Sequence, residues 1–164
     1  MLRRFFGAVR RNHALEHATI SVLMGRCPDR RLVGRATAAG FYIYGDVPNE
    51  EVDASAKEGL KRLRAGESGL AVSPLCGTNL VVAGVMAGLA SVLSAGGNKG
   101  RLDRLPSVLL ASMLAVLAAQ PVGRWIQKRF TTSANVGDLE IVGVHSLGMR
   151  QRYHKIETID RPSN

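Results

Sequence analysis

Two long stretches without a charged side chain dominate the pattern of the chain. None occurs from Ser68 to Asn98, with "NLVVAGVMAGLASVLSAGG" at the centre, and none from Leu105 to Gly123, "LPSVLLASMLAVLAAQPVG". Each is about the ~20 residues that a bilayer-spanning helix needs. Small residues recur at helical spacing in both: Gly84, Ala87 and Gly88 in the first, Ala111 and Ala115 in the second. Such residues let two helices approach closely. The intervening "NKGRLDR" is short, so the pair is expected to form a tight helical hairpin. The same small residues permit homo-oligomerisation as readily as packing within one chain.

Outside these runs the periodicity changes. Residues 1 to about 26 read as a helix, with Phe5, Phe6, Val9, Ala14, Ile20, Val22 and Leu23 forming a broad apolar face and Gly25 as a stop. Arg3, Arg4, Arg10 and Arg11 suit it to anionic headgroups. "RLVGRATAAGFYIYGDVP" is β-branched and aromatic with glycines at its breaks, and predicts two strands or one hairpin. "VPNEEVDASAKEGLKRLRAGES" predicts a helix: Pro48 near its start, Glu50 and Glu51 in the first turn, Lys61, Arg62 and Arg64 in the last, Gly66 after the end. Asp46 is the expected N-cap. After the second run, "DLEIVGVHSL" and "RQRYHKIETI" read as strands forming a hairpin, and the final "DRPSN" as frayed.

The predicted class is therefore an α+β membrane protein. It has an N-terminal amphipathic helix, a small α/β segment, a two-helix transmembrane hairpin and a short C-terminal β-hairpin. The boundaries fall at 1–78 for the cytoplasmic α/β region, 79–123 for the hairpin and 124–164 for a cytoplasmic tail. Charge supports this. The 164 residues carry a formal net charge of +9, and the sequence pI is about 10.4. Lys61, Arg62 and Arg64 before the first run and Arg124, Lys128 and Arg129 after the second outweigh Lys99, Arg101 and Arg104 with Asp103 between them. The cation excess places both termini on the cytoplasmic side of a cell membrane spanned twice. Trp125 belongs at the interface. With aromatics at 5% and no interleaving of basic and aromatic residues, no nucleic-acid partner is expected. A secretory leader is not expected, because five uncharged residues separate the arginine pairs of the N-terminus. Cys27 and Cys76 are far apart and read as free thiols.

The candidate chemistry lies in "RRNHALEHATISVLMG", where His13, Glu16 and His17 form H-x-x-E-H. Residues four apart on a helix differ by about 40° and stack one turn apart. Two imidazoles so placed can hold one zinc ion at about 2.0–2.1 Å, and Glu16 on the adjacent edge can take a proton from water beside it. The pattern is that of the inverted zincins. A catalytic zinc takes three protein ligands and keeps one position open. Cys76, in "SPLCGTN", is the best third ligand, with a buried apolar thiol at a helix start as the ordinary alternative. Glu67 is a second candidate, with a helix cap as its alternative. His145 and His154 are further candidates without motif support, with plain surface histidines as their ordinary alternative. Cys27, before Pro28, is not expected to bind metal.

Taken together, "NHALEHATI", "GFYIYGDVP", "LRAGESGLAVSPLCGTN" and the following apolar pair resemble a membrane-protein family catalogued as domain of unknown function 6391, over roughly residues 10 to 125. A more distant likeness is to a bacterial membrane family that pairs "HGAEH" with "H-x-x-CGT" and is described as predicted metal-dependent enzymes. Its elements fall on His13, Glu16 and His17 and on Cys76, Gly77 and Thr78, with Ser73 where that family has histidine. The second likeness implies a metal site and supplies no reaction.

Two functions follow. One is a membrane-anchored zinc-dependent hydrolase or peptidase acting on a membrane-protein tail or a lipid-linked molecule. It would use His13, His17 and Cys76 as ligands and Glu16 as base. The other is a non-catalytic scaffold or assembly factor with a structural His/Cys cluster. The chain has no Gly-rich phosphate loop, G-x-S-x-G elbow or dinucleotide fingerprint.

Overall fold

A computed structural model describes residues 2–96, 101–147 and 152–161. The tip of the predicted helical hairpin with Lys99, the start of "RQRYHKIETI" and the last three residues of "DRPSN" lie outside them. Among the described residues the fold is α+β. Helix α1 spans Leu2–Arg26, strand β1 Val33–Thr37, β2 Gly40–Tyr44, α2 Asn49–Arg64, α3 Gly77–Ser94, α4 Arg101–Ile126, β3 Leu139–Leu147 and β4 Tyr153–Asp160. A short 3-10 turn, Ser68–Ala71, precedes α3, and a π-helical turn, Gln127–Thr131, follows α4. The chain divides into two compact units, Met1–Ser73 with Lys128–Asn164, and Pro74–Gln127.

In the first unit the two predicted hairpins merge. The sheet order is β1-β2-β4-β3, antiparallel throughout, with Gly40 opposite Glu157 and Tyr44 opposite Tyr153. Alternation sets which face is buried. Phe41 and Ile43 of β2 point inward with His154, Ile156 and Thr158 of β4. Against them pack Leu15, Ala18 and Leu23 of α1 and Val52, Ala56, Leu60 and Leu63 of α2. The apolar stripe of α1 thus runs through Ala14, Leu15, Ala18, Val22 and Leu23, while Phe5 and Phe6 near its start are exposed.

Helix α2 ends as its sequence predicts. Gly66 has φ +94°, its N–H donates to Leu63 O at 3.1 Å, and that of Glu67 to Arg62 O at 3.1 Å. This is a Schellman closure, in which a left-handed residue satisfies the last carbonyls. Gly66→Ala is expected to cost about 1 kcal/mol in denaturant unfolding, and an unchanged midpoint would contradict this. The start of α2 differs from expectation. Its N-cap is Pro48, without a side-chain cap, and Asp46 pairs with Arg30 at 3.2 Å. Proline's fixed φ prepares the first turn without a capping oxygen.

The second unit is the α3–α4 pair, and both helices are long and apolar enough to cross a membrane. Ala111, Ala115, Ala119 and Gly123 recur every fourth residue on the less exposed side of α4. Ser91 and Ser112 are hydrogen-bonded across the pair at 2.8 Å. A Cβ on Gly123 would lie 2.2 Å from Asn79 Oδ1, so only glycine fits there. Gly84 and Gly88, expected to line this contact, are exposed with nothing near their absent side chains. Ala87 and Ser91 turn toward α4 instead, with Ser91 Oγ also donating to Ala87 O at 2.8 Å.

Candidate metal centre

The midpoint of α1 carries the H-x-x-E-H residues, in the half of the helix that packs on the sheet. His17 and Glu16 are buried, and His13 is partly buried. The helix brings the two imidazoles together as their spacing requires: the ring centroids lie 4.4 Å apart, tilted by 60°. Each ring is held from behind by a backbone carbonyl. His13 Nδ1 lies 2.9 Å from Thr131 O, and His17 Nδ1 lies 2.9 Å from Ala71 O. A carbonyl can only accept, so each Nδ1 carries a proton, and in the neutral ring Nε2 is the nitrogen with the lone pair. Histidines that bind metals are oriented in this manner, by a hydrogen bond at the other ring nitrogen.

The carbonyl facing His13 is placed by the π-helical turn and by Arg10. The Arg10 guanidinium donates to Arg129 O at 3.0 Å and to Thr132 O at 3.0 Å, and Ser133 N donates to Arg10 O at 3.0 Å. Arg10 therefore straps residues 129–133 to α1 three positions before His13. Arg11 is paired with Asp160 by two hydrogen bonds. Of the four arginines expected to meet anionic headgroups, these two serve the fold.

Glu16 Oε2 is 3.9 Å from His13 Nε2, beyond a direct hydrogen bond. Its carboxylate crosses the face of β1 at Gly34. A Cβ on Gly34 would lie 2.0 Å from Glu16 Oε1 and 2.7 Å from its Cγ. The strand is bare at this position and Glu16 fills the space. The sequence analysis did not single out Gly34, although an isolated glycine in a strand signals close approach.

In the second unit, Cys76 is the N-cap of α3. Its sulfur accepts from Thr78 N at 3.4 Å and lies 3.4 Å from Thr78 Oγ1. The preceding loop is pinned by Asn79, whose Nδ2 donates to Pro74 O at 2.9 Å while its Oδ1 accepts from Gln127 Nε2 at 2.8 Å.

The other candidates separate from this group. Glu67 makes an ion pair with Arg62, with Nε to Oε2 at 2.9 Å. That bond holds the Glu67 carboxyl below its usual range and raises the Arg62 guanidinium. His145 is exposed and lies 3.7 Å from Glu157. His154, read as a surface residue, is fully buried, with Nδ1 3.2 Å from Asn49 Oδ1. It occupies the inward register of β4 beside Ile156, which its place in the alternation could have shown.

An α+β fold bearing an H-x-x-E-H helix, together with an apolar helical pair, defines the class. The chain belongs to the family described as domain of unknown function (DUF6391), whose pattern matches residues 8–144. An uncharacterised protein of Picosynechococcus sp. is 34% identical over 76% of this chain and 66% of its own length. The chain thus spans just under two thirds of that curated relative. No solved structure matches it. These findings bear out the first resemblance and give no support to the metal-enzyme family.

Proposed function

We propose that the chain is a membrane-anchored, metal-dependent hydrolase, with His13, His17 and Cys76 holding one zinc ion and Glu16 acting as general base. The observation that carries this is the paired fixing of His13 and His17 through Nδ1, which leaves Nε2 of each ring as the nitrogen open to a ligand. Two imidazoles and a thiolate are a donor set suited to zinc. The chain's own connectivity favours Cys76 as third ligand. It follows Ala71, whose carbonyl His17 engages, by only five residues.

Zinc, when bound, supplies Lewis acidity and lets water beside it ionise near neutral pH. Glu16 would accept that proton at Oε2, the oxygen nearer His13, and deliver it to the leaving group. Burial of the carboxylate keeps bulk water from competing for it. The structural alternative, a closed site, needs a fourth protein ligand.

The membrane reading rests on exposure. Leu80, Leu89, Leu93, Leu102, Leu109, Leu114 and Leu117 are all more than half exposed. At ~1.5–3 kcal/mol for each large apolar side chain, leaving such a set in water costs on the order of 10–20 kcal/mol, which a hydrocarbon environment removes. Residues on either side of the apolar pair fold into one compact unit. A pair that crosses a bilayer therefore crosses it twice, returning the chain to the side it left. The flanking cations favour the cytoplasmic side.

The test is metal content by plasma mass spectrometry of detergent-purified protein, wild type beside His13→Ala, His17→Ala and Cys76→Ser. About one zinc per chain is expected in the wild type, lost in the variants. No stoichiometric metal under metal-replete conditions would return both histidines to structural roles and leave a membrane scaffold as the better account.

A further inference from the structure

The sheet has two edges, and they are treated differently. Strand β3 forms one, and two of its carbonyls are occupied by side chains. Arg64 Nη2 donates to Leu139 O at 2.7 Å, and Asn49 Nδ2 to Val144 O at 3.3 Å. A register shift between Ile141 and Gly143 also breaks its regularity. These are the usual devices that stop an edge from pairing.

Strand β1 forms the other edge and, outside its turn end, has none of them. Its two-residue connection to β2 makes Thr37 and Gly40 a hydrogen-bonded pair. By alternation Arg35 and Val33 also bond to β2, so the N–H and C=O groups of Gly34 and Ala36 point outward. Among the described residues these four groups have no hydrogen-bond partner. Only the turn end is closed, where Asn12 Nδ2 donates to Thr37 O and Ala38 O.

We propose that the free edge of β1 takes an extended polypeptide carrying acidic residues as an added strand, and so lays a peptide group beside Glu16. Donors and acceptors repeated every second residue are the complement of an extended chain. A helix has its backbone groups already used. An added strand lies about 4.8 Å from β1, and the Glu16 carboxylate rests on Gly34 in the middle of the open stretch. Charge complementarity comes from Arg31 and Arg35, which are exposed and have no ion-pair partner among the described residues. A second copy pairing β1 with β1 about its centre would set Arg35 against Arg35, which is unfavourable. The proposal takes from the hydrolase reading only the use made of the bound peptide.

The test uses the full chain in detergent, both metal-loaded and chelator-stripped. The probe is a fluorescein-labelled hexapeptide mixture, Glu-Xaa repeated three times, with Xaa drawn from Val, Thr, Ile and Tyr. A second probe has every other backbone nitrogen methylated, and a third has Lys in place of Glu. Saturable binding by anisotropy is expected in both metal states, weakened at least about tenfold by backbone methylation. Ala36→Pro removes one outward N–H without touching the bonds to β2, and should weaken binding by a similar factor. Arg35→Glu should shift preference toward the lysine mixture. Absence of saturable binding to the wild type overturns the proposal, as does equal binding of the methylated probe. Light scattering that shows a dimer broken by Ala36→Pro would give the edge to a second copy instead. Binding without stoichiometric metal would leave the edge standing and remove the hydrolase reading; metal without binding would do the reverse.

Discussion

Glu16→Gln is expected to keep its metal and to lose at least about a hundredfold in hydrolysis of the glutamate-containing peptide mixture, read by mass spectrometry. The size follows from general-base catalysis, typically worth ~10²–10⁴. The amide keeps the shape of the carboxylate over Gly34, so the fold and both imidazoles are expected to stay in place. Undiminished turnover would remove Glu16 as the base. Loss of metal along with activity would make Glu16 a ligand and close the site, favouring a structural centre.

Gly34→Ala should have the second large effect. The new methyl group would overlap three atoms of Glu16 at once, at 2.0, 2.4 and 2.7 Å. Glu16 is buried beneath the helix and cannot move aside without displacing its surroundings. Overpacking of this kind costs about 1–3 kcal/mol. Peptide hydrolysis should fall with stability, because the carboxylate must leave its position near His13. The double variant Gly34→Ala with Glu16→Ala should recover most of the lost stability and none of the activity. Additive losses in that cycle would mean that the two residues do not share one space.

How much of this was legible in the sequence depended on distance along the chain. The four-residue spacing of His13 and His17 fixed their common face, and Gly66 marked the end of α2, because both are local matters of helix geometry. The strands were legible from β-branched and aromatic residues between glycine breaks, but the joining of β2 to β4 was not. That pairing closes over a hundred intervening residues, and nothing in "GFYIY" or "YHKIETI" names its partner. The carbonyls of Thr131 and Ala71 were invisible for another reason. Every residue has one, and only the fold selects which two face the imidazoles. Gly84 and Gly88 misled because small residues mark where helices can meet, not which small face does.

The position of β4 inside the sheet bears on how the protein is made. This strand leaves the ribosome last among the described elements, yet it sits between β2 and β3. Until it arrives, β2 has one neighbour, and Ile156 is missing from its place opposite Phe41. Both apolar helices are complete well before that moment. On the proposed membrane reading, insertion would precede closure of the sheet, with no finished domain to be held open meanwhile. The last ten described residues, 152–161, act as the latch. A chain cut short before them could carry every residue of the H-x-x-E-H helix and still lack the sheet on which it rests.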